Sequence, residues 1–69
     1  MEFILKENDE YIKLGQLLKA CCLVNSGADS KRVINEGMVK VNNEVCLMRG
    51  KKIHKGDIII YQDKEVNVI

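Results

Sequence analysis

Apolar positions fall into two periods along this chain, and the change from one to the other marks the boundary between its helices and its strands. From Leu14 they recur at Leu14, Leu17, Leu18 and Cys21. This is the i, i+3, i+4, i+7 stripe of an amphipathic helix, with Lys13, Gln16 and Lys19 on its wet face. Asn25 and Ser26 end the apolar run after Val24. Ser26, with Asp29 three positions on, makes a capping-box-like start for a second helix, and Asp29 suits the positive end of its dipole. That helix is expected to carry Ser30, Val33 and Ile34 on one face, with Lys31, Arg32 and Asn35 beside or opposite. Glu36-Gly37 closes it with a glycine C-cap. The two helices, joined by a short turn, suit a helix-turn-helix-like pair.

After Gly37 the period becomes two. Val39 and Val41 flank Lys40, Val45 follows, and Asn42-Asn43 stands where a tight hairpin turns, since Asn tolerates positive φ. Residues 46–55 are polar and basic and read as a long exposed connection with a brief strand near Ile53. Gly56-Asp57 turns the chain, the β-branched run Ile58 to Tyr61 reads as a strand, a turn follows at 62–64, and Val66 to Ile69 finish as another. At the other end, Phe3 to Leu5 form a short edge strand stopped by the polar stretch 6–10. The layout predicts an α+β domain in which the helix pair packs on one face of a small antiparallel sheet. Gly15, near the start of the first helix, either allows close approach of a partner or is simply tolerated near a helix end.

Composition narrows the function. Sixty-nine residues make one domain, spanning 1–69, and a chain this short buries only about 60% of the surface its unfolded form exposes. A binding surface fits it better than an enclosed catalytic cleft. Cys21, Cys22 and Cys46 are odd in number with two adjacent, and His54 is the only histidine, so neither a disulfide scaffold nor a zinc site is expected. The thiols are expected to be buried and structural. A thiol enzyme using Cys21 or Cys22 has no His or acid placed to activate it. Asp29 reads as a helix cap and Asp57 as a turn former, and His54 as an exposed side chain without a catalytic role. No phosphate-binding loop, dinucleotide fingerprint or metal motif is present, so no enzyme, cofactor or small-molecule substrate is expected. Without a basic, apolar leader or a long apolar run, the chain is expected in the cytoplasm, away from membranes.

Eleven Lys and Arg against ten Asp and Glu give a net charge of +1, which hides a strong asymmetry. Residues 1–10 hold one lysine against four acids and residues 57–69 one lysine against three. Between them, residues 11–35 hold four basic residues against Asp29 alone, and residues 36–56 hold Lys40, Arg49, Lys51, Lys52 and Lys55 against Glu36 and Glu44. A basic centre between acidic ends is the distribution that a phosphate-binding patch requires. The amides near Ser26 and Gly27 would add to it. Lys40 is expected on the outward face of its strand, and Arg49, Lys51 and Lys52 in one flexible loop. These cations converge if the helix pair and the hairpin share a side.

Four segments, in this order and spacing, resemble a known family. They are Leu14-Gly15-Gln16-Leu17-Leu18-Lys19, Ser26-Gly27-Ala28-Asp29-Ser30-Lys31, Ile34-Asn35-Glu36-Gly37-Met38-Val39-Lys40-Val41-Asn42, and Arg49-Gly50-Lys51-Lys52 with Gly56-Asp57. Together they are similar to the RNA-binding domain of small-subunit ribosomal protein S-four, the alpha-L RNA-binding fold. The nearest resemblance is to its small stand-alone members of the YaaA and YbcJ type, and it runs from about Tyr11 to Tyr61. The broad superfamily usually has arginine where Lys13 stands, aspartate at Gly15 and arginine at Gly27. The stand-alone subgroup shows the Leu-Gly-Gln and Ser-Gly-Gly patterns instead. Ala28, Ser30 and Asn43 replace its second glycine, an alanine and the turn glycine, and a buried Ser30 needs a hydroxyl partner.

The resemblance implies a non-catalytic protein that binds structured RNA, often ribosomal, with Lys13, Gln16, Ser26, Gly27, Lys31, Lys40, Asn42, Arg49, Lys51 and Lys52 as the candidate contacts. With only three aromatics, phosphate gripping is expected rather than base reading, and Phe3, Tyr11 and Tyr61 are expected in the core or strands. Gln16 and Asn42 can supply hydrogen bonds to a 2′-hydroxyl or a base edge, or Asn42 can be a plain turn residue. A second reading makes the same surface a protein-interaction or ribosome-assembly adaptor that docks an acidic ribosomal or assembly protein, with no direct RNA role.

Overall fold

The computed structural model describes residues 1–69. Elements follow in the order β1 (Glu2–Phe3), β2 (Ile12–Lys13), α1 (Leu14–Ala20), α2 (Gly27–Asn35), β3 (Val39–Val41), β4 (Glu44–Val45), β5 (Lys52–Ile53), β6 (Ile58–Tyr61) and β7 (Lys64–Val68). The architecture is the expected α+β one. Five strands form a sheet in the order β1-β7-β6-β3-β4, and β2 pairs with β5 in a separate two-stranded ribbon. The large sheet is antiparallel except at its edge, where β1 runs parallel to β7.

The sheet buries one face only. Val39, Val41, Ile59, Tyr61, Val66 and Val68 are buried, while Lys40 and Glu65 between them are exposed, so period-two alternation puts the core on a single side. Both helices cover that side. Leu14, Leu17 and Leu18 of α1 and Val33 and Ile34 of α2 join the sheet residues, with Leu5, Val24 and Ile53, in one cluster. The helices are tied to each other by a buried hydrogen bond in which the Ser30 hydroxyl donates to the Gly15 carbonyl at 3.0 Å. The partner that Ser30 required is therefore the other helix.

Local chemistry accounts for the boundaries. The Ser26 hydroxyl accepts from the Asp29 N–H at 3.2 Å, the N-cap expected of α2. Both helices end in the same way. Gly37, at φ 74°, donates to Ile34, and Met38 donates to Val33, the paired bonds of a Schellman motif. In α1 the Cys22 N–H donates to Lys19 and the Leu23 N–H to Leu18, with Cys22 at φ 58°. The first helix thus stops at Ala20, inside the apolar run, and six residues rather than a tight turn lead to α2. The β3–β4 hairpin turns on Asn42 and Asn43 at φ 51° and 70°, both positive as a type I′ turn demands.

Two expectations need correction. None of the three thiols is fully buried: Cys22 is exposed and Cys21 and Cys46 are half-buried at the margin of the core. Cys22 is turned out because the left-handed residue of a Schellman motif lies beyond the last helical turn. Burial, with the neighbouring Cys22 thiol, pushes the Cys21 thiol up, the reverse of what activates a nucleophile. Tyr11 is the second correction, since it is 36% exposed and packs on the outside of the ribbon, not in the core.

Candidate nucleic-acid interface

Lysine at the N-cap of α1 is a poor cap, and Lys13 makes no side-chain hydrogen bond to the helix. Backbone carbonyls from the basic loop do the capping. The Leu14 N–H donates to the Lys51 carbonyl at 2.9 Å and the Gly15 N–H to the Arg49 carbonyl at 3.0 Å. Two of the amides a helix start leaves unpaired are thereby satisfied, and the segment read as a flexible loop is pinned to the helix. Gly15 makes this approach possible. A Cβ at that position would stand 2.6 Å from Arg49 Cγ, well inside contact distance. Gly15 does allow a close approach, but what approaches is the chain's own Arg49 and not the partner that was expected.

The consequence is an open polar hollow of about 370 Å³. Lys13 reaches it from the end of β2, Gln16 and Lys19 from α1, Gly27 and Ser30 from α2, and Arg49 and Gly50 from the loop, with no apolar side chain in its lining. Three cations and the first turn of α2 face one solvent-filled space. None of the three is paired with a carboxylate, because the structure's one salt bridge joins Arg32 to Glu36. Lys19 was legible only as a residue of the wet face of α1. Its three-residue spacing from Gln16, itself three from Lys13, is the signal that places it with them.

A second surface continues from the first through Lys13. In the ribbon, Lys13 lies directly opposite Lys52 and Ile12 opposite Ile53. Ile53 is fully buried, so the ribbon's other face carries both lysines outward. Tyr11 and His54 extend that face, with ring centroids 6.0 Å apart, and the Lys52 ammonium stands 5.1 Å from the Tyr11 ring centre. Beyond it, Lys51, Lys52, His54, Asn42 and Asp57 line a shallow depression of about 540 Å³.

The remaining candidates are placed differently. Lys31 lies one turn along α2 from Gly27, on the same side of the helix. Ser26 spends its hydroxyl on the cap. Asn42 is committed to the turn, where its carbonyl oxygen accepts from the Ile58 N–H at 2.9 Å and its amide donates to Asp57 at 3.1 Å. Asp57 also accepts from the His54 N–H at 2.7 Å. Burial opposes ionisation of Asp57, but these two hydrogen bonds, with His54 and Lys51 close by, outweigh it and hold its carboxyl below the usual carboxylate range. Lys40 projects from the uncovered face of the sheet, away from the helices. Lys40 stands on the sheet face opposite the helix pair, so it does not converge with the other cations.

A helix pair and a basic loop are thus built on a small sheet, with cations gathered where the loop meets the helix starts. The S4 domain family model matches residues 5–69, and the chain belongs to that family of RNA-binding domains. Among curated proteins, a probable ribosome maturation protein, RlbA, of Bacillus subtilis (strain 168) is 40% identical over 50 residues, covering 72% of this chain and 70% of the relative. No helix is long and apolar enough to cross a membrane.

Proposed function

We propose that this protein is a non-catalytic RNA-binding protein of ribosome maturation in the cytoplasm, gripping structured ribosomal RNA by its phosphates. The observation that carries this reading is the convergence of Lys13, Lys19 and Arg49 on one hollow that offers no apolar contact. Such a site suits an extended, polyanionic surface and offers nothing to a small apolar ligand. Gln16 and the first turn of α2 supply hydrogen-bond donors there, while Lys31, Lys51 and Lys52 extend the grip on either side. The relative's probable role in ribosome maturation supplies the setting.

The test is a titration of a ribosomal RNA fragment by fluorescence anisotropy across a salt series. With about four or five phosphates engaged, log K falls against log salt with a slope of about −3 to −4. Lys13→Gln with Arg49→Gln is expected to weaken binding at least tenfold and to make the slope shallower by about two, with the melting temperature little changed. A flat salt response, or unchanged affinity in the double variant, overturns the reading. One observation favours the adaptor reading instead: Val45, Leu47 and Met48 are all more than half exposed beside the hairpin. Co-purification of a defined protein partner that survives nuclease treatment and is lost on Leu47→Asp would support it.

A further inference from the structure

The outer face of the β2–β5 ribbon is an unusual one for a protein to display. Two lysines, Lys13 and Lys52, stand directly opposite each other on adjacent strands, an arrangement that repels, and neither is paired with a carboxylate. Glu7, Asp9 and Glu10 are close in sequence yet make no ion pair with either. Next to the lysines is the protein's most exposed aromatic ring, Tyr11, against the imidazole of His54. Nothing in the core requires this arrangement, since the ribbon's structural contribution is made by Ile12 and Ile53 on the other side.

We propose that this ribbon face is a binding site for one unpaired nucleotide of the RNA, with Tyr11 as the platform for its base and the Lys13–Lys52 pair as the clamp for its phosphate. The inference rests on the RNA-binding reading and goes beyond it, because phosphate gripping alone does not distinguish paired from unpaired RNA. In the free protein the Lys52 ammonium lies over the Tyr11 ring, and a cation–π contact at an exposed site is weak enough to yield to a phosphate. Lys52 then turns to the phosphate, the repulsion from Lys13 is relieved by the shared anion, and the ring face is freed for a base. Bases inside an A-form helix are stacked on each other and offer no face. Only a bulged, looped or terminal nucleotide can use the site. Lys13 also lines the hollow, so the splayed nucleotide and the paired segment would be held side by side.

The experiment compares two RNA probes, a blunt duplex and the same duplex carrying a single unpaired adenosine. The wild-type protein is expected to bind the bulged probe about tenfold more tightly. Tyr11→Leu is expected to abolish that margin while leaving the affinity for the blunt duplex unchanged, and Tyr11→Phe, which keeps the ring, to preserve it. A second readout uses the wild-type protein alone: with the unpaired base replaced by 2-aminopurine, stacking on Tyr11 quenches its fluorescence. Equal binding of the two probes, a margin that survives Tyr11→Leu, or unquenched fluorescence overturns the inference while leaving the duplex grip intact. Failure of the wild-type protein to bind either probe overturns the RNA-binding reading, and this inference with it.

Discussion

Cys22 closes the cap that follows α1, and it does so in a conformation that suits glycine. Its φ of 58° crowds Cβ against the backbone at a cost of about 1–2 kcal/mol for an L side chain, and its thiol is exposed, so packing returns little. In α2 the same position is Gly37. Cys22→Gly is therefore expected to stabilise the fold by about 0.5–1 kcal/mol, after allowing for the greater freedom glycine has when unfolded. A urea titration reads this as a higher midpoint at unchanged slope. The difference between the two helix ends also marks what residue identity can disclose. Gly37 announced its turn, and so did Asn42-Asn43, because Gly and Asn are the residues that accept positive φ. Cys22 adopts the same region without belonging to that group, and no local signal singles it out, whereas Gln62, at φ 56°, at least falls in the turn read at 62–64.

Among the elements, the two turns that meet at Asp57 form one unit. Asp57 receives hydrogen bonds from the His54 N–H in its own turn and from Asn42 in the hairpin, while Asn42 also holds the start of β6. Because the folded carboxyl titrates below its unfolded value of about 3.9, it contributes stability that is complete above that value. The contribution is lost as pH falls through the lower, folded one. Melting temperature followed from neutral pH into this acid range is expected to fall less steeply in Asp57→Ala, which starts lower at neutral pH, than in the wild type. The hairpin, the β6 strand and α2 were legible because each carries its pattern within a few residues: a cap, a period, a turn pair. Of the β2–β5 ribbon only the brief strand near Ile53 was legible; β2 and the pairing were not. Each of its strands is two residues long, too short to show alternation, and its partners are distant in sequence. Tyr11 was accordingly expected in the core or a strand, when it is the ribbon that decides which way the ring faces.

For the molecule as a whole, the basic hollow exists because the basic loop is seated on α1, and Gly15 is the seat. Gly15→Ala tests that dependence. Alanine gains up to about 1 kcal/mol of helix propensity over glycine, which offsets part of the cost of displacing the Arg49 side chain 2.6 Å from the new Cβ. Stability is expected to stay within about 1 kcal/mol of the wild type, while affinity for a ribosomal RNA fragment falls severalfold. Calorimetry and an anisotropy titration on the same sample separate the two. The basic centre of the chain foreshadowed the surface, but its assembly could not be read from charge. Lys40 belongs to the same basic block and is carried to the opposite face by one step of strand alternation, whereas Lys19 is brought in by helical spacing. The capping of α1 by the Arg49 and Lys51 carbonyls has a further consequence. The first-turn amides are locked by the segment that would meet the ligand, so solvent exchange at Leu14 and Gly15 is limited by how often that segment lifts away. An RNA resting on Arg49 slows that lifting, and these two amide protons would record its occupancy without touching it.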